Sequence, residues 1–298
     1  MTEAIDHTVA IDLGGTNVRA ARVAADGTIE DRIQRPTPHH HPEPTIILEM
    51  MSEVMGLFTP GRAVIGLPGV VNHEDESLAQ APNIPQPWIP SLTEQWFEQR
   101  CGYEVSFAND ADLAAVGEAA FGAGRGRRDV VYVTISTGIG AGIVVGGTLV
   151  RGRLSGGEIG HTVIDATAAS RGEPCTVEEL GSGTAMNREA RRAGFSEQGR
   201  EFVELVRIGN PEALEVFDRV IGAAALGITN LSWLVLPQVV VIGGGLGRNI
   251  DLIRPVVDRV LAAHGPEASA SIEITVAGLG DDAALAGAAA WWPAVGRE

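Results

Sequence analysis

The sequence predicts an α/β protein of two lobes, built on a strand meander that occurs twice. Segments with strand patterning alternate with segments of helical spacing along the chain, which is the mark of layered α/β structure. The order strand, glycine turn, strand, turn, strand at residues 8–33 returns at 130–151. The 298 residues, 45% of them hydrophobic, also lie near the upper limit for one core and favour two.

In order, Thr8 to Asp12 is a short apolar run ending in glycines, Val18 to Val23 alternates, and Ala24-Ala25-Asp26-Gly27 turns the chain into a third strand through Ile29 and Ile33. Residues 36–44 read as a loop in which His39, His40 and His41 are solvated. Consecutive histidines do not converge on one ion in regular structure, so they receive no role. A helix is expected over 45–58, a buried strand over 63–67, a proline-rich loop over 72–90, a helix through Trp96 and Phe97, a strand over 105–108 and a helix over 112–121. The composition break GAGRGRR at 122–128 divides the chain into expected lobes 1–122 and 123–298. Beyond it lie the second meander, a largely helical stretch at 178–236, strands at 239–242 and 272–276 around a helix through Arg259, and a closing helix from Asp282 that could return to the first lobe.

Composition excludes whole classes of function. All 22 basic side chains are arginine and none is lysine, so P-loop, protein-kinase and Schiff-base mechanisms that need lysine are ruled out. A net charge of -16 gives no basic footprint for nucleic acid or an anionic membrane. Two cysteines make no disulfide framework, and no signal peptide or membrane-length apolar run is evident, so the expected compartment is the cytoplasm.

Two strand-to-strand turns share one chemistry: Asp12-Leu13-Gly14-Gly15-Thr16 and Ser136-Thr137-Gly138-Ile139-Gly140. Glycines let backbone N–H groups approach an anion and a threonine hydroxyl adds a donor, which cradles phosphate without lysine. Asp12 could hold Mg²⁺, which binds through one or two carboxylates together with substrate phosphates. A third cluster, Gly243-Gly244-Gly245, follows a buried strand. It could serve a dinucleotide, but Arg248 stands where the fingerprint needs glycine, and the same glycines could let an adenine ring lie against backbone. Asp110 alone would read as a helix cap. With Asn83, Asn109, Glu158 and His161 it makes a set of amides, carboxylates and one imidazole suited to a neutral polyhydroxyl substrate.

The stretch ISTGIGAGIVVGGTLVRGRLSGGEIGH at 135–161, with IDLGGTN at 11–17, APNIPQPW at 81–88, FANDA at 107–111 and VVVIGGGLG at 239–247, resembles the ROK family of sugar kinases, glycine by glycine and over nearly the whole chain. The resemblance implies the actin-like ATPase (ribonuclease H-like) fold, with a central cleft holding the site, and an ATP-dependent hexose 6-kinase, most simply a glucokinase. An amino-sugar kinase such as a kanosamine 6-kinase, another hexose kinase, or a silent sugar sensor are the alternatives. It further implies that Gly14, Gly15, Thr16, Thr137 and Gly138 take the ATP phosphates, Gly243 to Gly245 the adenosine, and that magnesium accompanies the nucleotide. Asp110 is then the catalytic base, and Asn83, Asn109, Asp110, Glu158, His161 and Glu178 are the sugar contacts. The expected ligands are a hexose or aminohexose, and the family implies a homodimer.

The chain departs from the family in one respect. ROK proteins commonly carry a zinc site made by the GH histidine and three cysteines of a CxCGxxGC stretch. Here residues 172–178 read GEPCTVE, with Cys175 alone, and a four-coordinate zinc cannot be assembled from His161 and Cys175. No zinc is expected. The family also includes repressors with a preceding helix-turn-helix, and a first strand at residue 8 leaves no room for one.

Overall fold

A computed structural model describes residues 7–56, 61–81 and 83–297. The chain divides into two compact units: residues 1–126 with 142–157 and 281–298, and residues 127–141 with 158–280.

Unit 1 opens with the antiparallel meander β1 (His7–Leu13), β2 (Asn17–Ala24) and β3 (Ile29–Pro36), followed by α1 (Thr45–Met55) and β4 (Arg62–Leu67). Leu57 and Phe58, which sequence patterning adds to α1, lie outside the described residues. The hairpin β5 (Val70–Asn72) and β6 (Ser77–Gln80) comes next, then α2 (Glu94–Cys101), β7 (Glu104–Asn109) and α3 (Asp110–Ala120). The sheet order is β3-β2-β1-β4-β7, with β1, β4 and β7 parallel. The hairpin sits where the sequence reads as loop, because β6 is four residues long and largely polar and so lacks an apolar alternation.

β1 and β4 are almost wholly buried, as their unbroken apolar runs require of inner parallel strands. One face packs on Ile47, Met50, Met51 and Val54 of α1, and on Trp88, Phe97 and Phe107. α11 (Ala283–Ala294) closes the unit against α3. Gly117 and Gly287 face each other across that contact: a β-carbon on Gly287 would overlap the Leu113 carbonyl oxygen and stand 3.0 Å from the Gly117 nitrogen. Only a pair of glycines lets these two backbones approach so closely. Trp291 of α11, fully buried, donates its indole N–H to Ser106 Oγ at 3.0 Å.

The second sheet runs through β8 (Val130–Ile135), β9 (Ile139–Val145) and β10 (Thr148–Leu149), then β11 (Val239–Gly243) and β12 (Glu273–Val276), in the order β10-β9-β8-β11-β12. Each sheet therefore has its third, second and first strands followed by two further parallel strands, so the repeat read from glycine turns extends to the topology. Helices α4 (Ala166–Ala169), α5 (Val177–Gly181), α6 (Gly183–Arg192), α7 (Arg200–Arg207), the 25-residue α8 (Pro211–Val235), α9 (Gly244–Gly247) and α10 (Ile250–His264) lie in unit 2. Among the described residues no helix is long and apolar enough to cross a membrane.

Candidate active site

The first glycine turn is closed by Gly14 N–H donating to Asn17 O at 2.8 Å. Its three carbonyls are all held from one segment: Thr37 Oγ1 donates to Gly14 O at 2.7 Å, His39 Nε2 to Gly15 O at 2.7 Å and Thr37 N–H to Thr16 O at 2.9 Å. Because the peptide is trans, anchoring the carbonyls of Gly14 and Gly15 turns the N–H groups of Gly15 and Thr16 to the opposite side, where an anion can lie against them. His39 thus braces the turn. Residue identity in a polar tract gives no hint of that contact, which is set by tertiary placement. The turn also lies on the proline-rich loop, since a β-carbon on Gly15 would be 2.5 Å from Asn83 O. Pro82, in the same motif, is outside the described residues.

Asp12 stands opposite Arg19 across the β1–β2 ladder, and Arg19 engages its Oδ2 with both Nε, at 2.9 Å, and Nη2. Arg19 Nη1 continues to Asp281 O at 2.7 Å, just before α11. At the end of β7 the helix cap is Asn109, whose Oδ1 accepts from Ala111 N at 2.8 Å and Asp112 N at 3.2 Å, while its Nδ2 donates to Gly69 O at 2.9 Å. Asp110 is consequently the first residue of α3 rather than its cap. Its Oδ1 accepts from Ala111 N at 2.8 Å.

Unit 2 repeats the device of the first turn. Gly183 N–H donates to Ser136 O at 2.7 Å and Thr184 Oγ1 to Thr137 O at 2.7 Å, so the first residues of α6 hold the carbonyls and the N–H groups of Thr137 and Gly138 face away. Glu178 lies on this turn: its Oε2 accepts from Ile139 N at 2.8 Å, and a β-carbon on Gly138 would overlap that oxygen. Gly160 packs on Ile139 and on the Glu178 side chain, which brings Gly157 to His161 beside the turn. Glu158 Oε2 is 3.8 Å from His161 Nε2. Burial pushes the Glu158 carboxyl above the ordinary glutamate range, with the His161 ring opposing the rise and the charge of Glu178 adding to it.

The segment where the family places its zinc cysteines is held by backbone pairing. Ile164 N–H donates to Cys175 O at 2.8 Å and Val177 N–H to Thr162 O at 3.0 Å, and Thr176 and Glu179 form a capping box at the start of α5. Glu178, next in that helix, is aimed by this arrangement. Among the described residues no group of three or more His, Cys, Asp or Glu side chains could hold a metal ion.

Gly244 has φ +82°, and a β-carbon there would be 2.5 Å from Ile135 O, so the chain can leave β11 this way only through glycine. Gly245 and Thr137 line one cavity of about 430 Å³. Its walls carry the apolar Met186, Val203 and Leu246 and the polar Asn187, Arg200 and Arg248. The cavity brings apolar side chains beside a turn whose N–H groups face away from their anchors, a combination that could take a nucleotide. Gly243 is turned elsewhere, onto the Tyr132 ring. A larger depression of about 500 Å³ between α10 and β12, around Arg254 and Asp258, contains none of the predicted site residues.

The ROK family model matches residues 8–295, and the chain belongs to that family. It is 30% identical over 303 residues to the glucokinase of Thermotoga maritima, covering 94% of this chain and 95% of that one. The crystal structure of a ROK family glucokinase from Streptomyces griseus in complex with glucose and AMPPNP has a TM-score of 0.77 at 28% identity and covers 95% of this chain and 98% of the other. The ROK hexokinase of Thermus thermophilus has a TM-score of 0.81, also at 28% identity, covering 95% and 96%. The fold is that of the actin-like ATPases, with their strand meander present twice.

Proposed function

We propose that this protein is an ATP-dependent hexose 6-kinase, a glucokinase that transfers the γ-phosphoryl group of ATP to the 6-hydroxyl of D-glucose. The observation that carries this reading is the pair of glycine turns, each with its carbonyls tied back so that N–H groups are offered to an anion, one of them in the same cavity as Gly245. Membership in the ROK family and the similarity to glucokinases support it.

In this mechanism Asp110 accepts the proton of the sugar 6-hydroxyl as that oxygen bonds to the γ-phosphorus and the bond to the β,γ-bridging oxygen breaks. A general base contributes roughly 10²- to 10⁴-fold, and positioning supplies much of the rest. Its place at a helix start, accepting a backbone N–H, keeps it oriented. Asn109 fixes the helix behind it, and Glu158, His161 and Glu178 supply acceptors and donors for sugar hydroxyls. Asp12, whose Oδ2 is held by Arg19, would offer its other carboxylate oxygen to the Mg²⁺ that accompanies the nucleotide phosphates, and the ion would neutralise charge at the transferring group.

A second reading, phosphorylation of an aminohexose, is favoured by Glu158: burial and the neighbouring Glu178 charge disfavour its ionised form, and an ammonium group would relieve that cost. ADP release measured over a panel of hexoses and aminohexoses tests both. Fastest turnover with glucose is expected, an aminohexose preference would select the second reading, and no turnover with any sugar would refute both.

A further inference from the structure

β7 is the last strand of its sheet, so one of its edges has no neighbouring strand. Two of its outward N–H groups are nevertheless satisfied. Glu94 Oε1 accepts from Phe107 N at 2.6 Å and Glu98 Oε1 accepts from Val105 N at 3.1 Å. The spacing explains how: residues four apart on a helix rise about 6 Å, residues two apart on a strand about 6.6 Å, so two carboxylates one helical turn apart match two successive outward N–H groups. The pairing runs in opposite directions because α2 turns directly into β7 through Gly102, which caps the helix at φ +81°. Two residues beyond Phe107 the strand ends at Asn109, and Asp110 opens α3.

We infer that Glu94 is a positioning residue for Asp110: with Glu98 it replaces a missing strand, fixes β7 along its open edge, and so sets where the first residue of α3 stands. The inference rests on the reading of Asp110 as the catalytic base. Glu94 is buried, 6% exposed, and a hydrophobic residue there would fill the space at less electrostatic cost but would leave the Phe107 N–H without an acceptor. Burial pushes the Glu94 carboxyl up to about 7, with the Phe107 N–H opposing the rise and Glu76 and Glu98 adding to it. The charged groups acting on it are Glu76 in the β5–β6 turn, Glu98 on its own helix, Arg297 beyond α11, and Arg151 after β10.

The test is steady-state phosphoryl transfer to glucose by Glu94→Ala, Glu94→Gln, Asp110→Asn and the double variant Glu94→Ala/Asp110→Asn. Glu94→Ala is expected to lower kcat about tenfold or more with the KM for ATP within about twofold. Glu94→Gln, whose amide oxygen still accepts from Phe107, is expected to recover most of that loss. Since Glu94 acts through Asp110, adding Glu94→Ala to Asp110→Asn is expected to cost nothing further. Full kcat in Glu94→Ala beside a collapsed Asp110→Asn would overturn the inference and leave the base assignment standing. Losses that multiply in the double variant would overturn it too. If Asp110→Asn keeps the wild-type rate, the base assignment falls and the inference with it. Should Glu94→Ala fail to fold, Glu98→Ala decides, since it removes the other edge contact: a kcat equal to wild type would overturn the inference.

Discussion

The contact between α3 and α11 predicts opposite outcomes for the same chemical change. On a helix with open space beside it, glycine to alanine stabilises by about 0.4–1 kcal/mol, through lower unfolded-state entropy and better helix propensity. Gly222, in α8, is such a site, with nothing within 4 Å of an added β-carbon. Gly287 is the contrary case: the methyl would overlap the Leu113 carbonyl oxygen and lie 3.0 Å from both its carbon and the Gly117 nitrogen. Ordinary carbon contacts are about 3.5–4.0 Å, so the 3.0 Å neighbours alone require the helices to part by about 0.5–1 Å and the overlapped Leu113 oxygen requires more, which forfeits at least a quarter to a half of each contact along the seam. Overpacking of this kind costs about 1–3 kcal/mol and outweighs the propensity gain. The shift also moves α3, whose first residue is Asp110, and a displacement near 1 Å in a reacting group can cost about 10²-fold in rate. Urea unfolding and turnover read the two effects. Gly222→Ala is expected to raise the midpoint at unchanged kcat, and Gly287→Ala to lower both. A Gly287→Ala protein as stable and as fast as wild type would refute the packing argument.

The other predictions concern the turns and the buried carboxyl. His39→Ala removes one of the three anchors of the first turn and is expected to raise the KM for ATP severalfold with a smaller effect on the sugar; an unchanged KM would dismiss the bracing role. Gly138→Ala drives a methyl into the Glu178 carboxylate and is expected to weaken glucose binding at least tenfold, readable by calorimetry without nucleotide. Glu94 is raised from 4.5 to about 7, a shift worth on the order of 3 kcal/mol, so its contribution to stability is fully present below about pH 4.5 and is lost as pH rises through about 7. Glu94→Gln should therefore gain stability relative to wild type as pH rises across that window, and a constant difference would contradict the assignment.

Much of this was legible in the sequence. The glycine turns, their flanking strands and the Asn109-Asp110 boundary are local features, and local chemistry predicts them. The repeat could be read because each turn needs the same residues for the same reason. What escaped has no periodic signature. His39 reaches Gly15, and Glu94 and Glu98 reach β7, by side-chain to backbone bonds that only tertiary placement creates. The β5–β6 hairpin is too short and polar to show alternation. A closing helix that could return to the first lobe is expected from the sequence, but not its close approach to α3 through the facing Gly117 and Gly287.

The return of α11 to unit 1 has a consequence for the nascent chain. About 160 residues separate the end of α3 from the start of α11, and at synthesis rates of about 5–20 residues per second that is on the order of ten seconds. Through that interval the face of α3 bearing Leu113 and Gly117 emerges without the helix that covers it. Gly117 on it serves the finished protein by allowing close approach. On the ribosome the same choice keeps the waiting surface sparing in apolar bulk, and so a poor partner for the wrong chain.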